Sequence, residues 1–494
     1  MSKVFLIQPP ISNAELFSRG SKSSASHIPP LGLAYIAAYL KDHGHSCRIL
    51  DGIAEPQPIP EIVSESKSYN VIGITVVSAF VLRALVLVEA IKAADGTPPI
   101  VIGGPHVTAL PEAMVRSGAD FAVVGEGEQT MLDLVEWLGG SKDRNQLRVI
   151  RGIGYIEDGA YVFTGPRSRI ELLDQVPLPD RTLLPMHLYR SSIARATAQP
   201  SHSLLTSRGC PGVCSFCSKL TFGTKVRYFS AERILEEFFL LRDRYGANDV
   251  AVMDDNFVSN PDVALAVCDG LQTRGFGRSW SVEARIDGVD RRVLMALKRA
   301  GCTFVAYGIE SGSQRVLDYI NKRVTKEKIR EVVDMTKEVG IPIRGYFILG
   351  FPGETQAEME ETLRFAIELD VEVASFTLFV PLPGTIEYRR ACESGTFDPE
   401  YFLRRITPEF NFPDFPFYIP EGFTTGQLLD FHRRAYSRYY FRPRVILKKI
   451  AALRNLGEVK NLLLGAHTLM NNALHKSRLR PNRTDNQPDR GSSK

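Results

Sequence analysis

The chain has 494 residues, enough for about three domains, and its composition, 44% hydrophobic and 23% charged, is ordinary for a globular protein. The net charge of +4, without a basic block in the folded part, argues against nucleic acid as a partner, and no apolar run is long enough to span a membrane. Because seven cysteines form an odd count and no signal peptide opens the chain, we expect free thiols in a reducing cytoplasm and not a disulfide framework.

Residues 1–142 alternate apolar strands with helical segments, which predicts a parallel α/β sheet. The expected strands are Val4–Ile7, Cys47–Leu50, Val71–Val76, Ile100–Ile102 and Phe121–Val124. Helices are expected at about Leu33–His43, Leu82–Ala94, Pro111–Ser117 and Gln129–Leu138. Ligands of such sheets bind beyond the carboxyl ends of the strands.

Unusual residues fall at that edge of the predicted sheet. Thr75 and Ser78 follow the third strand, the paired glycines Gly103 and Gly104 follow the fourth, and Gly125-Glu126-Gly127-Glu128 follows the fifth. Paired glycines let a bulky ligand approach the backbone, and the next helix offers free N–H groups.

Residues 143–200 are expected to connect this sheet to the next part of the chain. Ile153–Ile156 and Tyr161–Thr164 flank the turn Glu157-Asp158-Gly159, which is a β-hairpin signal. The stretch 176–181 is too rich in proline for regular structure.

The most specific signal is the trio Cys210, Cys214 and Cys217, spaced C-x-x-x-C-x-x-C. Three thiolates so close together can bind one soft metal centre, and thiolate is the ligand of iron–sulfur clusters. Since the next cysteine, Cys268, is distant, a four-iron cluster would keep one iron open, as catalytic metal sites do. The alternative, a zinc knuckle or three unrelated core thiols, is disfavoured because no second cysteine pair completes a zinc site.

Six strand–helix repeats within residues 201–390 predict a partial (β/α)6 barrel of the TIM type, with its active site at the carboxyl ends of the strands. The expected strands are Ser203–Thr206, Val250–Met253, Trp280–Glu283, Phe304–Gly308, Ile343–Leu349 and Ser375–Val380. Polar groups follow several of these strands, namely Asp254, Asp255, Glu283, Arg285, Glu310, Ser311 and the turn 350–354. Each alone suits a helix cap as well as a ligand contact, but together they surround one barrel mouth.

Residues 391–475 are expected to form a mainly helical, aromatic-rich extension, and residues 476–494 a disordered tail. The aromatic side chains, which include Phe410, Phe412, Phe415, Phe417 and Tyr418, are expected to cover the barrel mouth by packing. The segment 444–464 is basic and amphipathic. Packing on the barrel is favoured for it over peripheral contact with a membrane.

The cysteine trio, with Phe216 just before its last cysteine, resembles the signature of radical S-adenosylmethionine enzymes. Gly308-Ile309-Glu310-Ser311-Gly312 and the turn at Gly350 also resemble segments of that family. The resemblance implies a [4Fe-4S] cluster on Cys210, Cys214 and Cys217, with S-adenosylmethionine chelating the open iron. It further implies cofactor contacts, which fall on Phe216, Asp255, Arg285, Glu310 and Ser311.

Pro30-Leu31-Gly32-Leu33, Gly103-Gly104-Pro105-His106 and the segment 125–128 look like the Rossmann-like cobalamin-binding domain that precedes many such barrels. The D-x-H-x-x-G motif of other cobalamin domains is missing, and the loop after the first strand has no histidine. The resemblance therefore implies base-off cobalamin without a histidine ligand. Its nucleotide tail would lie near four residues, Thr75, Ser78, Gly103 and Gly104. His106 is the alternative ligand, but its place in a glycine turn favours a capping role.

Both resemblances together imply a cobalamin-dependent radical S-adenosylmethionine methyltransferase. Its substrate would be an unactivated carbon or phosphorus centre of a small biosynthetic intermediate, and its electrons would come from an external donor such as flavodoxin or ferredoxin. One alternative keeps both cofactors without methyl transfer, as a radical cyclase or ring-rearranging enzyme of the kind that forms tetrapyrrole rings anaerobically. Another alternative is an electron-transfer or scaffold protein with a structural cluster.

Overall fold

The computed structural model describes residues 1–12, 27–140, 142–190, 198–399 and 416–451. The first sheet has seven strands in the order β2-β1-β3-β4-β5-β6-β7. Their bounds are β1 Lys3–Gln8, β2 Ser46–Asp51, β3 Val71–Thr75, β4 Ile100–Gly103, β5 Phe121–Val123, β6 Ile153–Glu157 and β7 Ala160–Phe163. Strands β1 to β5 are parallel, whereas β6 and β7 run antiparallel as the expected hairpin. The hairpin extends the first sheet through its pairing with β5, so the sheet reaches into the segment expected as a connector.

Helices cover both faces of the first sheet. Their bounds are α1 Leu31–Asp42, α2 Ile59–Ser66, α3 Val81–Lys92, α4 Pro105–Ala109, α5 Pro111–Arg116, α6 Glu128–Gly139 and α7 Arg144–Val149. Phe5 packs in the cluster that contains side chains of α2 and α3, while its neighbour Leu6 packs in the cluster of α1 and α6. Alternate residues of β1 are thus buried on opposite faces, which explains the continuous apolar runs of the strands. Helix α2 was not expected from the sequence, because it contains Pro60. Proline is tolerated in the first turn of a helix, and Pro60 lies in the first turn of α2.

The second sheet is an open, fully parallel barrel fragment with strand order β15-β14-β13-β12-β11-β8. Its strands are β8 Ser201–Leu204, β11 Asp249–Val252, β12 Ser279–Arg285, β13 Cys302–Glu310, β14 Ile343–Leu349 and β15 Val373–Leu378. The helices that follow the strands are α8 Ala231–Tyr245, α9 Pro261–Thr273, α10 Arg291–Arg299, α11 Gln314–Tyr319, α12 Lys326–Val339, α13 Gln356–Leu369 and α14 Ile386–Glu393. The predicted partial (β/α)6 barrel is confirmed. The domain boundaries drawn from the sequence stay proposals.

Two helices after the barrel lie within the described residues, α15 Thr425–Tyr440 and α16 Pro443–Ala451. Helix α15 lies against the edge strand β15, where the Tyr436 hydroxyl accepts from the Phe376 N–H at 3.2 Å and donates to its carbonyl at 3.0 Å. The Tyr440 hydroxyl pairs in the same way with Ala374. These tyrosines satisfy the unpaired backbone of an edge strand, so their role differs from the expected cover of the barrel mouth.

Several predictions for the extension fall outside the described residues, namely Phe410, Phe412, Phe415, most of the segment 444–464 and the tail 476–494. Within the described part of the chain, no helix has the length and apolar character needed to cross a membrane.

Candidate functional site

The three cysteines lie in a loop that a short antiparallel ribbon closes. Strand β9, Ser207–Arg208, pairs with β10, Arg227–Tyr228, and the loop 209–226 runs between them. Gly209 has a φ of +101°, and a Cβ there would lie 2.6 Å from the carbonyl oxygen of Lys225. This glycine therefore allows the close approach of the two limbs of the loop.

The cysteine thiols are free and lie beside two cations. Cys210 and Cys214 are buried, whereas Cys217 is exposed. Lys219 Nζ lies 3.4 Å from the sulfur of Cys217, and Arg285 Nη1 lies 3.3 Å from that of Cys214. Among the described residues no three metal-binding side chains converge on a single ion. A [4Fe-4S] cluster requires no such convergence, because each cysteine ligates a different iron. The donor set, three thiols with cations that balance negative charge, fits a cluster with one open iron.

Asp254 binds the two residues, Thr206 and Ser207, that lead into this loop. Its buried carboxylate accepts from the N–H groups of Thr206 and Ser207 at 2.7 and 3.3 Å, from the Ser207 hydroxyl at 2.7 Å and from the Thr206 hydroxyl. Burial raises the pKa of Asp254 to about 6. The same bonds explain why β8 ends at Leu204, since the N–H groups beyond it bond to Asp254 and not to a neighbouring strand.

Glu310 and Lys322 form a buried ion pair at the carboxyl end of β13. Glu310 Oε1 and Lys322 Nζ are 2.8 Å apart, and both side chains are less than a tenth exposed. Glu310 has a φ of +69° and follows an irregularity in the β13–β14 register. A left-handed conformation at a buried, non-glycine residue is strained, and such strain clusters at functional sites.

The other residues predicted to contact S-adenosylmethionine are spread around the barrel mouth. Arg285, besides its contact with Cys214, forms two bonds to Asp287, at 3.0 and 2.8 Å. The ring of Phe216 lies 5.6 Å from that of Phe351 in the turn after β14. Asp255 is exposed and acts electrostatically on Cys217 and on Lys219.

Ser311 differs from these residues because it is fully buried. Its hydroxyl lies 3.0 Å from the Thr362 hydroxyl of α13. A contact between Ser311 and a cofactor stays a prediction, and it would require this packing to open.

The turn after β14 depends on a cap. Glu354 Oε2 accepts from the N–H groups of Gly350 and Phe351 at 2.6 and 3.0 Å, which is the capping role that its position allowed. Burial raises the pKa of Glu354 to about 7.

The predicted cobalamin residues meet at the carboxyl edge of the first sheet. A Cβ on Gly104, whose φ is +105°, would lie 2.7 Å from the carbonyl oxygen of Val76 and 3.2 Å from the Thr75 hydroxyl. A Cβ on Gly103 would make only an ordinary contact of 3.6 Å with Val123. Gly104 is thus required by the sheet edge itself, whereas Gly103 leaves room beside the backbone, as a bulky ligand needs.

Ser78 and His106 form a pair at the same edge. Ser78 Oγ lies 2.9 Å from His106 Nδ1, and the ring of His106 is only 1% exposed. Burial lowers the pKa of His106 to about 4, so the ring is neutral near pH 7. Its Nε2 is buried with no hydrogen-bond partner among the described residues.

The edge of the first sheet and the barrel mouth adjoin. A Cβ on Gly384, in the turn after β15, would lie 2.8 Å from Leu220 Cδ1 of the cysteine loop and 3.2 Å from Ala109 Cβ of α4. Helix α4 begins directly after Gly104. Three parts of the chain therefore meet at one point. They are the cysteine loop, the last barrel turn and the edge of the first sheet at Gly103 and Gly104, which we call the glycine edge.

Sequence reasoning did not identify Lys322 or Lys219 as site residues, whereas Asn256 belonged to the polar run Asp254-Asp255-Asn256 expected at the barrel mouth. Asn256 Oδ1 accepts from the Arg285 N–H at 3.0 Å. Lys219 stands two residues after Cys217, so its spacing carried a usable signal. Lys322 lies in the loop after α11, and no sequence pattern indicates that it folds back onto Glu310.

Comparison with known proteins agrees with this geometry. Residues 204–366 match the radical SAM superfamily, and residues 21–135 match the B12 binding domain. An uncharacterised methyltransferase of Pyrococcus horikoshii is 34% identical over 453 residues, which cover 91% of this chain and 94% of the relative. The cytidylyl-2-hydroxyethylphosphonate methyltransferase of Streptomyces wedmorensis is 29% identical, with 76% of this chain and 80% of the relative covered. The anaerobic magnesium-protoporphyrin IX monomethyl ester cyclase of Rubrivivax gelatinosus is 26% identical, with 86% and 76% covered.

Among solved structures, the cobalamin-dependent S-adenosylmethionine radical enzyme OxsB with aqua-cobalamin bound has the same fold. The TM-score is 0.73 at 17% identity, and the match covers 96% of this chain and 72% of that chain. The fold and the site define an enzyme that uses a [4Fe-4S] cluster, S-adenosylmethionine and cobalamin. The chain belongs to the radical SAM superfamily, within the cobalamin-dependent methyltransferases that carry a B12 binding domain.

Proposed function

We propose that the enzyme transfers a methyl group from S-adenosylmethionine to an unactivated carbon or phosphorus centre of a small biosynthetic intermediate. The observation that carries this proposal is the close approach of Ala109 and Leu220 to Gly384, where an added Cβ would lie 3.2 Å from the first and 2.8 Å from the second, so that the glycine edge adjoins the cysteine loop. A methyl donor on the first sheet and a hydrogen-abstracting radical at the barrel mouth must reach the same substrate atom, so the two sites have to adjoin.

The side chains at the mouth suit this reaction. When bound, the cluster supplies an electron that cleaves S-adenosylmethionine to a deoxyadenosyl radical. Cys210, Cys214 and Cys217 would hold the cluster. The guanidinium of Arg285 is suited to the carboxylate of the S-adenosylmethionine methionine moiety. The Glu310 carboxylate is suited to accept from its amino group or ribose hydroxyls.

The barrel lumen offers a polar place for the substrate. The Tyr346 hydroxyl of β14 donates to Glu283 of β12 at 3.2 Å. Strand β13 lies between these two strands, and its residue in the row of Tyr346 is Gly308. A Cβ there would lie 2.5 Å from Glu310 Oε1 and 3.0 Å from Lys322 Nζ, so this glycine leaves room for that ion pair. Arg344, in the row of Glu283, lies over the Phe304 ring at 5.0 Å, and its Nη2 is buried without a partner among the described residues. These groups support a substrate that carries polar or anionic groups.

We also infer that no histidine of the chain ligates cobalt. A ligand nitrogen has to be reachable from the edge where the cofactor lies, and His106 is 1% exposed with its Nδ1 engaged by Ser78. Base-off cobalamin, as the resemblance implies it, would then have no nitrogen ligand on cobalt. Electron paramagnetic resonance of the cob(II)alamin form should show no nitrogen splitting from the protein. A splitting that His106→Ala abolishes would contradict the inference.

The balance of the reaction provides the test of function. One substrate molecule, which loses one hydrogen atom, reacts with two S-adenosylmethionine molecules and two electrons from an external donor. The products are the methylated substrate, S-adenosylhomocysteine, methionine and deoxyadenosine. In the anaerobically reconstituted enzyme with a chemical reductant and trideuteromethyl S-adenosylmethionine, we expect S-adenosylhomocysteine, deoxyadenosine and label in the extracted cobalamin. Deoxyadenosine without S-adenosylhomocysteine or label would overturn methyl transfer.

That second outcome would favour the cyclase alternative, for which the similarity to the Rubrivivax gelatinosus cyclase is the specific observation. A cyclase consumes S-adenosylmethionine only to make the radical, so its product gains no methyl mass. The mass of the product therefore distinguishes the two functions once a substrate is in hand.

A further inference from the structure

Four buried charges join the first sheet to the cysteine loop. Glu126 and Glu128 follow β5, and Arg208 and Arg227 lie in the ribbon that closes the loop. Arg208 Nη2 lies 2.5 Å from Glu128 Oε1, and Arg227 binds both carboxylate oxygens of Glu126, at 2.6 and 3.0 Å. The four side chains are between 2% and 6% exposed, and their charges sum to zero. We refer to them as the charge quartet.

The quartet fixes the ribbon from two sides. The Arg208 guanidinium also lies 5.3 Å from the Tyr35 ring of α1 and 5.5 Å from the Phe222 ring of the cysteine loop. Such cation–π contacts add directional attraction to the ion pairs. Arg227 donates to the carbonyl of Ile170 at 2.7 Å, and Ile170 in turn donates its N–H to Glu126 at 3.1 Å. Glu126 thus has protein partners on both carboxylate oxygens, and Glu128 is bound to Arg208 through Oε1.

We propose that the charge quartet is a positioning device that sets the distance between the cobalamin edge and the cluster. Arg208 is separated from Cys210 by one residue. Gly125, next to Glu126, donates its N–H to the Thr108 hydroxyl of α4 at 3.1 Å, and α4 begins directly after Gly104. A shift of either glutamate is therefore passed through the ribbon to the first cysteine. Misplacement of reacting groups by about 1 Å can lower a rate by about a hundredfold, so such a device would act on catalysis and not only on stability. The inference rests on the proposed sites of the two cofactors.

The test uses the full chain loaded with both cofactors and reduced to the paramagnetic cluster and cob(II)alamin. Pulsed dipolar spectroscopy measures the distance between the two spins. We expect one narrow distance in the unsubstituted protein, and a broadened or shifted distance in Glu128→Gln. Because Glu128→Gln leaves the Arg208 cation buried without its carboxylate, the matched control is Glu237→Gln. Glu237 pairs with the buried Arg181 at 2.5 Å but touches neither cofactor edge.

Glu237→Gln should lower the melting temperature by a similar amount and leave the spin–spin distance unchanged. In Glu128→Gln, deoxyadenosine release should stay within about twofold, because the cluster still reaches S-adenosylmethionine. Label transfer to product should fall at least about tenfold, since that step needs the fixed distance. If the charge quartet had only a structural role, deoxyadenosine release and label transfer would both fall in proportion to the amount of folded protein.

If Glu128→Gln does not fold, the double variant Glu128→Leu with Arg208→Met separates the effects. Apolar replacement of both partners of a buried ion pair is often neutral for stability, but it removes the directional bond. The double variant should melt near the unsubstituted protein and keep a broad distance distribution. An unchanged, narrow distance in both variants would overturn the inference and leave the proposed function standing. Absence of either paramagnetic signal from the unsubstituted protein would instead count against the proposed function.

Discussion

Asp254→Ala should destabilise the cysteine loop. The free energy that is lost can be worked out from the hydrogen bonds that the substitution removes. The carboxylate accepts from two backbone N–H groups and two hydroxyls of Thr206 and Ser207. The hydroxyls can rotate to other acceptors, but the buried N–H groups cannot. A buried unpaired group costs about 1–3 kcal/mol, so the loss of two should weaken the loop by about 2–6 kcal/mol.

Hydrogen exchange of the apo-protein measures this loss locally. A change of 1.4 kcal/mol is tenfold in an equilibrium constant, so even the lower bound of about 2 kcal/mol predicts exchange roughly 30-fold faster at Thr206 and Ser207. After anaerobic reconstitution, the cluster content should fall as well, because the cysteine loop begins at these two residues.

Two variants serve as controls for Asp254→Ala. Asp255→Ala removes the same side chain from the next, exposed residue, and should change stability by less than about 0.5 kcal/mol. Asp254→Asn keeps an acceptor for the N–H groups, and its amide can donate to the hydroxyls, so its exchange should lie between the two. Equal exchange in Asp254→Ala and Asp255→Ala would refute the reasoning.

Three further predictions follow from the site. Cys214→Ala should lose the iron–sulfur absorption after reconstitution, whereas Cys392→Ala should keep it; full cluster content in the first variant would contradict the assignment. Since burial lowers the pKa of His106 from 6.5 to about 4, the folded state binds this proton more weakly, so stability should be complete above pH 6.5 and fall by about 3 kcal/mol towards pH 4. Urea unfolding of His106→Gln should lack this part of the pH dependence. Glu310→Gln should suppress deoxyadenosine release and spare cobalamin binding, and unchanged release would exclude Glu310 as a contact. Glutamine is chosen because its amide oxygen can still accept from the buried Lys322 cation, whereas alanine would leave that cation without an acceptor.

The sequence predicted the elements that periodicity specifies. The strand Ile343–Leu349 has its predicted bounds, because it is rich in strand-forming residues and is followed directly by Gly350. The strand predicted at Ser203–Thr206 ends at Leu204, since Asp254, distant in sequence, takes the N–H groups that follow. Local pattern carries no information on such a long-range bond.

The same distinction applies to the candidate site. The spacing of Cys210, Cys214 and Cys217 identified the chemistry, but most of the partners that fix these residues come from three other places in the chain. Lys219 is local, whereas Arg285 comes from β12, Asp254 from the end of β11, and the glutamates of the charge quartet from the first sheet. Ion pairs and hydrogen bonds between distant segments depend on topology, which a single sequence pattern does not encode.

The segment Gly125-Glu126-Gly127-Glu128 shows how a motif of the first domain can also serve its junction with the barrel. From the sequence it belonged with the ligand-binding glycines at the carboxyl edge of the first sheet. In the structure its two glutamates are paired with Arg208 and Arg227. Buried carboxylates without arginine partners would be unfavourable by several kcal/mol, so glutamates at this edge require cations supplied by the barrel. The motif therefore reports on the junction between the two sheets as well.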